Sequence, residues 1–164
     1  MNKRNIISTL IFSTYVLLAF YVFGGGMVTS LVTYRTWKWI GANEFPKFHQ
    51  SDNAHIIPVF VIFFFLSFIP QILLFWFRPS MIPKWMIWLA LFFNLSMLIS
   101  SITIQIPIQM ELDNRFSMEL IERLISTDLT FRVIPMILLA TTNFIMLYKV
   151  VKSSNSMTQP HYKM

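Results

Sequence analysis

The chain has 164 residues, of which 55% are hydrophobic and only 12% are charged, and its formal net charge is +6. Soluble domains carry about 25% charged residues, so this composition excludes an ordinary soluble globule. The absence of cysteine excludes disulfides, thiolate metal sites and a cysteine nucleophile. Lysine and arginine stand singly or in pairs at the ends of apolar runs rather than in one patch, which argues against a nucleic-acid partner.

The first apolar run covers residues 6–32 and follows Lys3-Arg4. It is longer than the apolar stretch of a signal peptide, which is typically about 7–15 residues, so we predict an uncleaved transmembrane span. Residues 24–26 hold three of the four glycines in the chain. Consecutive glycines fit close helix packing, an unwound helix end or the wall of a ligand site, and the sequence leaves these three readings open.

The first long connection concentrates ionisable side chains: Glu44, His49, Asp52 and His55 fall within twelve residues. In a helix, Asp52 would neighbour both histidines and could orient an imidazole as a general base. Alternatively, Glu44, His49 and His55 could bind a metal with Asp52 behind them, although no specific metal motif is present. A solvated loop that only anchors the helix is the third reading. We treat the four residues as catalytic candidates and predict no metal.

Three further spans follow, each near the roughly 20 residues that cross a bilayer. They are predicted at residues 55–77, 85–106 and 133–151, ended by Arg78-Pro79, Pro107 and Lys152 respectively. Pro46 suits a first helical position, so a helix starting there is expected to run into the second span, bent at Pro58 and Pro70. Residues 1–152 form a single membrane domain in this reading, and residues 153–164 form a disordered tail.

The third span carries a polar stripe. Asn94, Ser101 and Gln105 are seven and four residues apart, which places them on one helix face, and Gln109 follows one turn later. Such residues either join helices by hydrogen bonds or line a cavity that opens at the outer side. These four residues are the candidate ligand-binding residues.

The second long connection predicts a short amphipathic helix over residues 117–127. Ser117 is placed to cap it, and apolar residues recur at helical spacing at Met118, Leu120, Ile121, Leu124 and Ile125. The helix is expected to lie on the membrane face or to fold over the mouth of the bundle. Asp128 and Arg132, four residues apart, are predicted to form an ion pair at the start of the last span.

The charges predict an orientation. All seven acidic residues fall in the two longer connections together with six of the 13 basic residues. The other seven basic residues lie in shorter segments at the opposite side, so lysine and arginine are about twice as dense there, which indicates the cytoplasmic side. Trp76, Trp85 and Trp88 at that side indicate an interfacial aromatic belt. The sequence therefore predicts an all-α, polytopic four-helix bundle in a cytoplasmic (inner) membrane, with both termini cytoplasmic.

Two stretches carry a resemblance to known proteins. The first is Tyr34-x2-Trp37-x3-Gly41-x2-Glu44-Phe45-x2-Phe48-His49 followed by Pro58, and the second is Pro107-x4-Leu112 with Leu124-x3-Asp128-x3-Arg132. Together they resemble small bacterial four-span membrane proteins of uncharacterised function and, more distantly, the anthrone oxygenase-like family. The resemblance covers most of residues 25–150, but the chain has Gln109 where that bacterial group is expected to have histidine and Asp128 where it has asparagine. It implies oxidation of a hydrophobic aromatic substrate by molecular oxygen without metal or flavin.

Three functions remain open at this point. The chain is either a protein that binds a hydrophobic ligand or a membrane-protein partner at the outer mouth, an enzyme, or a small-molecule carrier. As an enzyme, it would use His49 or His55 as the base, Asp52 or Glu44 to orient it, and Arg132 as the oxyanion partner. Asp128, the predicted ion-pair partner of Arg132, is the sixth catalytic candidate. The expected partners are the lipid bilayer, a hydrophobic small molecule, and another membrane protein or a second copy. The sequence predicts no particular cofactor.

Overall fold

The computed structural model describes residues 3–158, and the side chains of residues 4–153. Four long helices make up almost all of this part: α1 (Arg4–Trp39), α2 (Phe45–Phe77), α3 (Lys84–Leu112) and α4 (Met118–Ser153). The described residues contain no strand. The predicted all-α four-helix architecture is therefore confirmed.

The helices are long and apolar enough to cross a membrane. At 1.5 Å rise per residue, their 29–36 residues extend about 44–54 Å, which exceeds the roughly 30 Å of a hydrocarbon core. Large apolar side chains cover their outer faces, including Leu10, Leu17, Phe92 and Phe144, each more than 60% exposed. A surface of this kind requires lipid rather than water around it, which is the architecture of a multi-pass membrane protein.

The helices run alternately up and down. α1 packs along α2 and α3 packs along α4, while shorter contacts between α1 and α4 and between α2 and α3 close the bundle. The connections 40–44 and 113–117 lie at one end, which we call the acidic end because it carries every acidic residue. The connection 78–83 and both ends of the described chain lie at the other, the basic end, where the described residues include no acid.

One buried polar contact set near the middle of the bundle takes a residue from each helix. The Tyr15 hydroxyl donates to Asn143 Oδ1 at 2.7 Å, and Asn94 Nδ2 donates to Gln71 Oε1 at 2.7 Å. Gln71 also lies beside the Tyr15 hydroxyl. All four side chains are buried. Polar side chains within a membrane hold helices in register in this way.

At the acidic end the helices project far enough to build an apolar core there. Its buried members come from all four helices: Tyr34, Trp37, Phe45, Ile108, Leu112, Ile121 and Leu124. The amphipathic helix predicted at 117–127 is present at Met118–Asp128, and Ser117 Oγ caps it by accepting from the Leu120 N–H at 3.3 Å. It packs on the ends of α1 and α3 and continues without a break into the last span.

Each helix contains one five-residue π-helical segment in the half nearer the acidic end. These segments are Thr29–Thr33, Ile57–Val61, Ser101–Gln105 and Leu129–Val133. Pro58 lies inside one of them, and Pro107 and Pro135 follow two residues after the last two. A wider turn accommodates a proline ring that would clash with the carbonyl of the preceding turn. For this reason α3 does not end at Pro107, as the sequence predicted, but continues to Leu112.

The glycine run lies inside regular helix, so the reading of an unwound helix end is wrong. A Cβ on Gly25 would stand 2.9 Å from the Phe60 ring, and one on Gly26 would stand 2.6 Å from Met136 Sδ, whereas Gly24 faces open space. Two of the three glycines therefore let α1 approach α2 and α4 closely.

Both limits of α2 agree with the sequence, and the last helix extends further than predicted. Pro46 lies in the first turn of α2, and α2 ends at Phe77 before an extended Arg78, both as predicted. The backbone of the last helix continues to Thr158, so the segment predicted to be a disordered tail is helical in its first six residues. Residues 159–164, which include His161, lie outside the described residues.

Candidate functional site

A cavity of about 180 Å³ lies inside the bundle toward the acidic end, at the level of the four π-helical segments. Its deep part is apolar, with walls that include Val22, Phe60, Phe64, Met97, Leu98 and Met136. Its part nearer the acidic end is polar, with walls that include Tyr34, Asp52, Asn53, Gln105, Gln109 and Arg132. The cavity thus changes from apolar to polar along the bundle axis.

Arg132 and Tyr34 form the centre of the polar part. Arg132 Nη1 lies 3.0 Å from Asp128 Oδ1 and donates to the Tyr34 hydroxyl at 3.2 Å. The ion pair predicted from the spacing of Asp128 and Arg132 is therefore present. Asp128 is 1% exposed and Arg132 15% exposed, so the pair is almost fully buried and each charge depends on the other.

The Tyr34 hydroxyl is oriented by two donors. Besides Arg132, Gln109 Nε2 donates to it at 3.1 Å. A hydroxyl accepts through two lone pairs and donates one proton. Because both lone pairs of Tyr34 are used, its own O–H remains to donate, and Tyr34 lines the cavity.

Two buried side chains in the cavity wall have polar atoms with no protein partner among the described residues. Both amide atoms of Gln105 and the indole Nε1 of Trp37 are in this position, although the two side chains are 1% exposed. A buried polar group without a partner is expensive, at about 1–3 kcal/mol each, and native proteins contain few of them. Polar atoms left in this way at a cavity wall are suited to a bound molecule or to ordered water.

The cavity wall also reaches the outer surface of the bundle. Phe65 on α2 and Ile102 and Ile106 on α3 line the cavity, yet each is about half exposed on the lipid-facing side. Contact between α2 and α3 is limited. A molecule dissolved in the bilayer therefore faces apolar side chains, rather than charged ones, at the point where these two helices separate.

The candidate ligand-binding residues divide into two groups. Ser101, Gln105 and Gln109 line the cavity. Asn94 lies deeper, where its amide is bonded to Gln71 in the contact set that joins the helices. Both alternatives that the sequence left open for the polar stripe thus occur, at different depths of the same helix.

The structure places His49 in a different environment from the one its neighbours in sequence suggest. Its Nδ1 lies 2.7 Å from Asp113 Oδ1, a carboxylate 64 residues away, and Asn53 Nδ2 donates to the same oxygen at 3.1 Å. Because a carboxylate only accepts, Nδ1 carries the proton in this contact. The ring is fully buried between Phe45 and Trp37, with centroid distances of 5.4 and 4.6 Å.

The other candidates of the first connection are spread apart. Asp52 lines the cavity, and Glu44 is exposed outside it. His55 is exposed, and its Nδ1–H donates to the Ser51 carbonyl at 2.6 Å. His49 and His55 do not share a site with Glu44, and across the described part of the chain no three His, Asp or Glu side chains form a group that could hold a metal.

Four residues of this region were not predicted as site residues: Tyr34, Trp37, Asn53 and Asp113. Tyr34 and Trp37 stand in the first stretch that carries the family resemblance, but nothing in their spacing gave them a role. Asp113 had no signal at all, because its partner lies on another helix. Asn53 follows Asp52 directly in the sequence, and its amide donates a hydrogen bond to Asp113.

In comparisons with protein-family models, with curated proteins and with solved structures, nothing matches this chain. Its function must therefore be inferred from the side chains of the bundle and from the chemistry of the cavity.

Proposed function

We propose that this membrane protein binds a small, mostly apolar molecule that carries an oxygen acceptor, such as a carbonyl or phenolate oxygen, in the cavity near the acidic end. The observation that carries the proposal is Gln105, which lines the cavity and whose buried amide has neither atom paired within the described protein. A ligand oxygen that accepts a hydrogen bond from Gln105 Nε2 would remove part of the free-energy cost of burying this amide without a partner.

Three further side chains with hydrogen-bond donors line the same cavity as Gln105, and they favour a ligand with an oxygen acceptor over a cationic ligand. The Tyr34 O–H remains available, the Trp37 indole N–H is unpaired, and the Arg132 guanidinium lines the same wall. Both polar contacts of Arg132 within the described residues use Nη1. Since a guanidinium carries five N–H donors in a planar fork, others remain to face a ligand oxygen.

The size and the walls of the cavity limit the ligand. An apolar cavity of roughly 150 Å³ holds a benzene molecule, so about 180 Å³ fits one or two fused rings or a short branched chain. Phe60, Phe64 and Met97 surround the deep part and suit such an apolar body. Access from the bilayer between α2 and α3 suits a molecule that partitions into lipid.

The proposal can be tested with two probes of nearly equal shape, 1-naphthol and 1-methylnaphthalene. Binding is measured by equilibrium dialysis against nanodiscs that contain the full-length protein, with empty nanodiscs subtracted to remove partitioning into lipid. We expect 1-naphthol to bind more tightly by about tenfold to a hundredfold, which corresponds to one satisfied buried polar group. Gln105→Leu should lower this preference severalfold while leaving the binding of 1-methylnaphthalene in place, because Tyr34, Trp37 and Arg132 still line the cavity.

Thr103→Val is the matched control, because Thr103 lies in the same π-helical segment but is exposed and bonded to the Ile99 carbonyl. It should leave both affinities unchanged. Equal binding of the two probes by the unmodified protein, or an equal loss in both variants, would overturn the proposal.

A second candidate function is an enzyme that oxidises a lipophilic aromatic substrate in this cavity. It is favoured by the presence of one carboxylate, Asp52, and one guanidinium, Arg132, in the same cavity wall. Asp52 would remove a proton from an acidic C–H of an anthrone-like substrate, and Arg132 with Tyr34 would hold the resulting enolate oxygen. The carbanion would reduce molecular oxygen and form a C–O bond; protonation would give a hydroperoxide, and loss of water would leave the new carbonyl.

This candidate is tested by oxygen uptake with 2-tetralone as the substrate, a two-ring ketone that fits the cavity and has an acidic benzylic C–H beside its carbonyl. Because a general base contributes about 10²–10⁴-fold, Asp52→Asn should lower turnover by at least a hundredfold. Glu44→Gln removes an exposed carboxylate at the same end and should have no effect. Absence of turnover above that of empty nanodiscs would contradict the enzyme and leave the binding function standing.

We further propose that the protein lies in a bacterial cytoplasmic membrane with its basic end at the cytoplasm. The higher density of lysine and arginine in the short segments at that end supports this orientation. Because the chain has no cysteine, single cysteines report topology without background. In intact cells a membrane-impermeant maleimide should label Glu44→Cys and not Ser80→Cys; the reverse pattern would contradict the orientation.

A further inference from the structure

A second recess lies at the basic end, far from the cavity described above. It is an open groove of about 1060 Å³ between α1, the end of α2 with its connection to α3, and the end of α4. Arg4 and Arg78 line its mouth, and Phe12, Val16, Leu17 and Trp76 line its length. Charge and apolar surface are thus arranged in one continuous groove.

The groove has the dimensions of one bilayer leaflet. From Arg4 to Leu17 it follows 13 residues of helix, about 20 Å at 1.5 Å per residue. One leaflet contributes about 15 Å of hydrocarbon, with a headgroup layer above it. Arg4 therefore lies about one leaflet thickness away from Leu17, and Leu17, which is 71% exposed, faces the hydrocarbon.

Arg78 is held over the groove rather than extended into solvent. The chain leaves the α2 helix at Arg78 with φ −64° and ψ 149°, and its Nε donates to the Ile82 carbonyl at 2.9 Å. This contact orients the guanidinium plane. No acidic side chain of the described residues lies at this end, so within that part of the chain an anionic group placed between the two arginines meets no carboxylate side chain.

We propose that this groove binds one phospholipid with an anionic headgroup. The phosphate and the headgroup charge contact Arg4 and Arg78, one acyl chain lies along Phe12, Val16 and Leu17, and Trp76 packs beside the glycerol region at the membrane interface. A zwitterionic lipid of the same chain length gains the apolar contacts but places its own cationic group among the arginines. The groove therefore selects lipids by charge, independently of the cavity at the acidic end.

Native mass spectrometry of the full-length protein, delipidated and then mixed with defined lipids, tests the proposal. The probes are phosphatidylglycerol and phosphatidylcholine with identical acyl chains. We expect one phosphatidylglycerol to be retained with about a thirtyfold preference, from roughly fivefold for each arginine near the membrane surface. Arg4→Gln with Arg78→Gln should reduce the preference to about one.

Lys149→Gln with Lys152→Gln is the charge-matched control, because it removes two positive charges at the same end outside the groove. It should leave the preference unchanged. Ser13→Trp, which fills the groove without changing charge, should lower retention of both lipids and provides a test if the arginine variants fold poorly. Equal loss of preference in the arginine and lysine variants, or unchanged retention in Ser13→Trp, would overturn the proposal.

Discussion

Arg132 on α4 donates a hydrogen bond of 3.2 Å to the hydroxyl of Tyr34 on α1, across 98 residues of sequence. Gln109 on α3 donates to the same oxygen, so one hydroxyl connects three helices at the level where all four contain a π-helical segment. The polar end of the cavity is therefore held by the same contacts that fix the helices there. Substitutions of Tyr34, Gln109 or Arg132 are therefore expected to change stability and ligand binding together, so their effect on unfolding has to be measured beside their effect on binding.

Removing the Arg132 guanidinium should destabilise the protein strongly. In Arg132→Leu, Asp128 remains 1% exposed and keeps only the smaller interactions with Ser30 and Arg35, and removing one partner of a buried ion pair typically costs about 3–5 kcal/mol. Replacing both residues, as Arg132→Leu with Asp128→Leu, should recover most of the loss because neither buried charge remains. Unfolding in mixed detergent micelles measures both; a double variant no more stable than the single one would contradict this account.

The glycine run offers a graded test of helix packing around the cavity. Gly24→Ala meets nothing within 4 Å and should stabilise α1 by up to about 1 kcal/mol through helix propensity. Gly25→Ala places its methyl group against the rigid Phe60 ring, which must move toward the cavity. We expect weaker binding of 1-naphthol and 1-methylnaphthalene alike in Gly25→Ala, measured by the dialysis described above, and unchanged binding in Gly24→Ala.

Met136 makes the third glycine different. A methyl group on Gly26 would approach the sulfur of Met136, the flexible end of an unbranched side chain that can turn aside. Gly26→Ala should therefore perturb probe binding less than Gly25→Ala does. A larger effect at Gly26 would mean that the Met136 side chain is held as firmly as the Phe60 ring.

The polar contacts in the middle of the bundle should contribute modestly. Tyr15→Phe removes the donor to Asn143, and interhelical hydrogen bonds in membranes contribute about 0.6 kcal/mol on average and at most about 1.7. The free energy of unfolding should fall within that range. Thr141→Val, which changes an exposed threonine on the same helix bonded only to its own backbone, should fall below it.

The two histidines should behave differently when replaced. His49 is fully buried between aromatic rings, so His49→Ala leaves a cavity and should destabilise the acidic end by about 3 kcal/mol, as truncation of a buried aromatic side chain does. His55 is exposed, and His55→Ala should change stability by less than about 0.5 kcal/mol. Loss of 2-tetralone turnover in His55→Ala without loss of stability would instead indicate a catalytic histidine outside the cavity.

Local spacing predicted the features that depend on a single helix. Ser117 caps the helix it precedes, and Asp128 reaches Arg132 one turn later at 3.0 Å. These predictions succeed because residues three or four apart on a helix are neighbours whatever surrounds them. The end predicted at Pro107 was wrong because α3 passes through the π-helical segment Ser101–Gln105 just before the proline and continues as helix, and hydropathy does not show such a segment.

The candidate site combines what spacing shows with what it cannot show. The spacing of Ser101 and Gln105 predicted a common face, but not that Gln105 would face a cavity while Asn94 bonds to Gln71. Asp52 was the expected partner of His49, but in the structure the imidazole is hydrogen-bonded to Asp113 instead. Which carboxylate an imidazole meets depends on how far one helix is shifted and rotated against another.

The sequence by itself determined that four apolar helices form the molecule, that every acidic residue lies at one end and that the other end is basic. These properties follow from the composition and from the order of residues along the chain. Only the tertiary structure decided that Tyr34, Gln109 and Arg132 converge and that Gln105 is left without a partner. Those relations depend on the relative positions of α1, α3 and α4, which the packing of the whole bundle fixes.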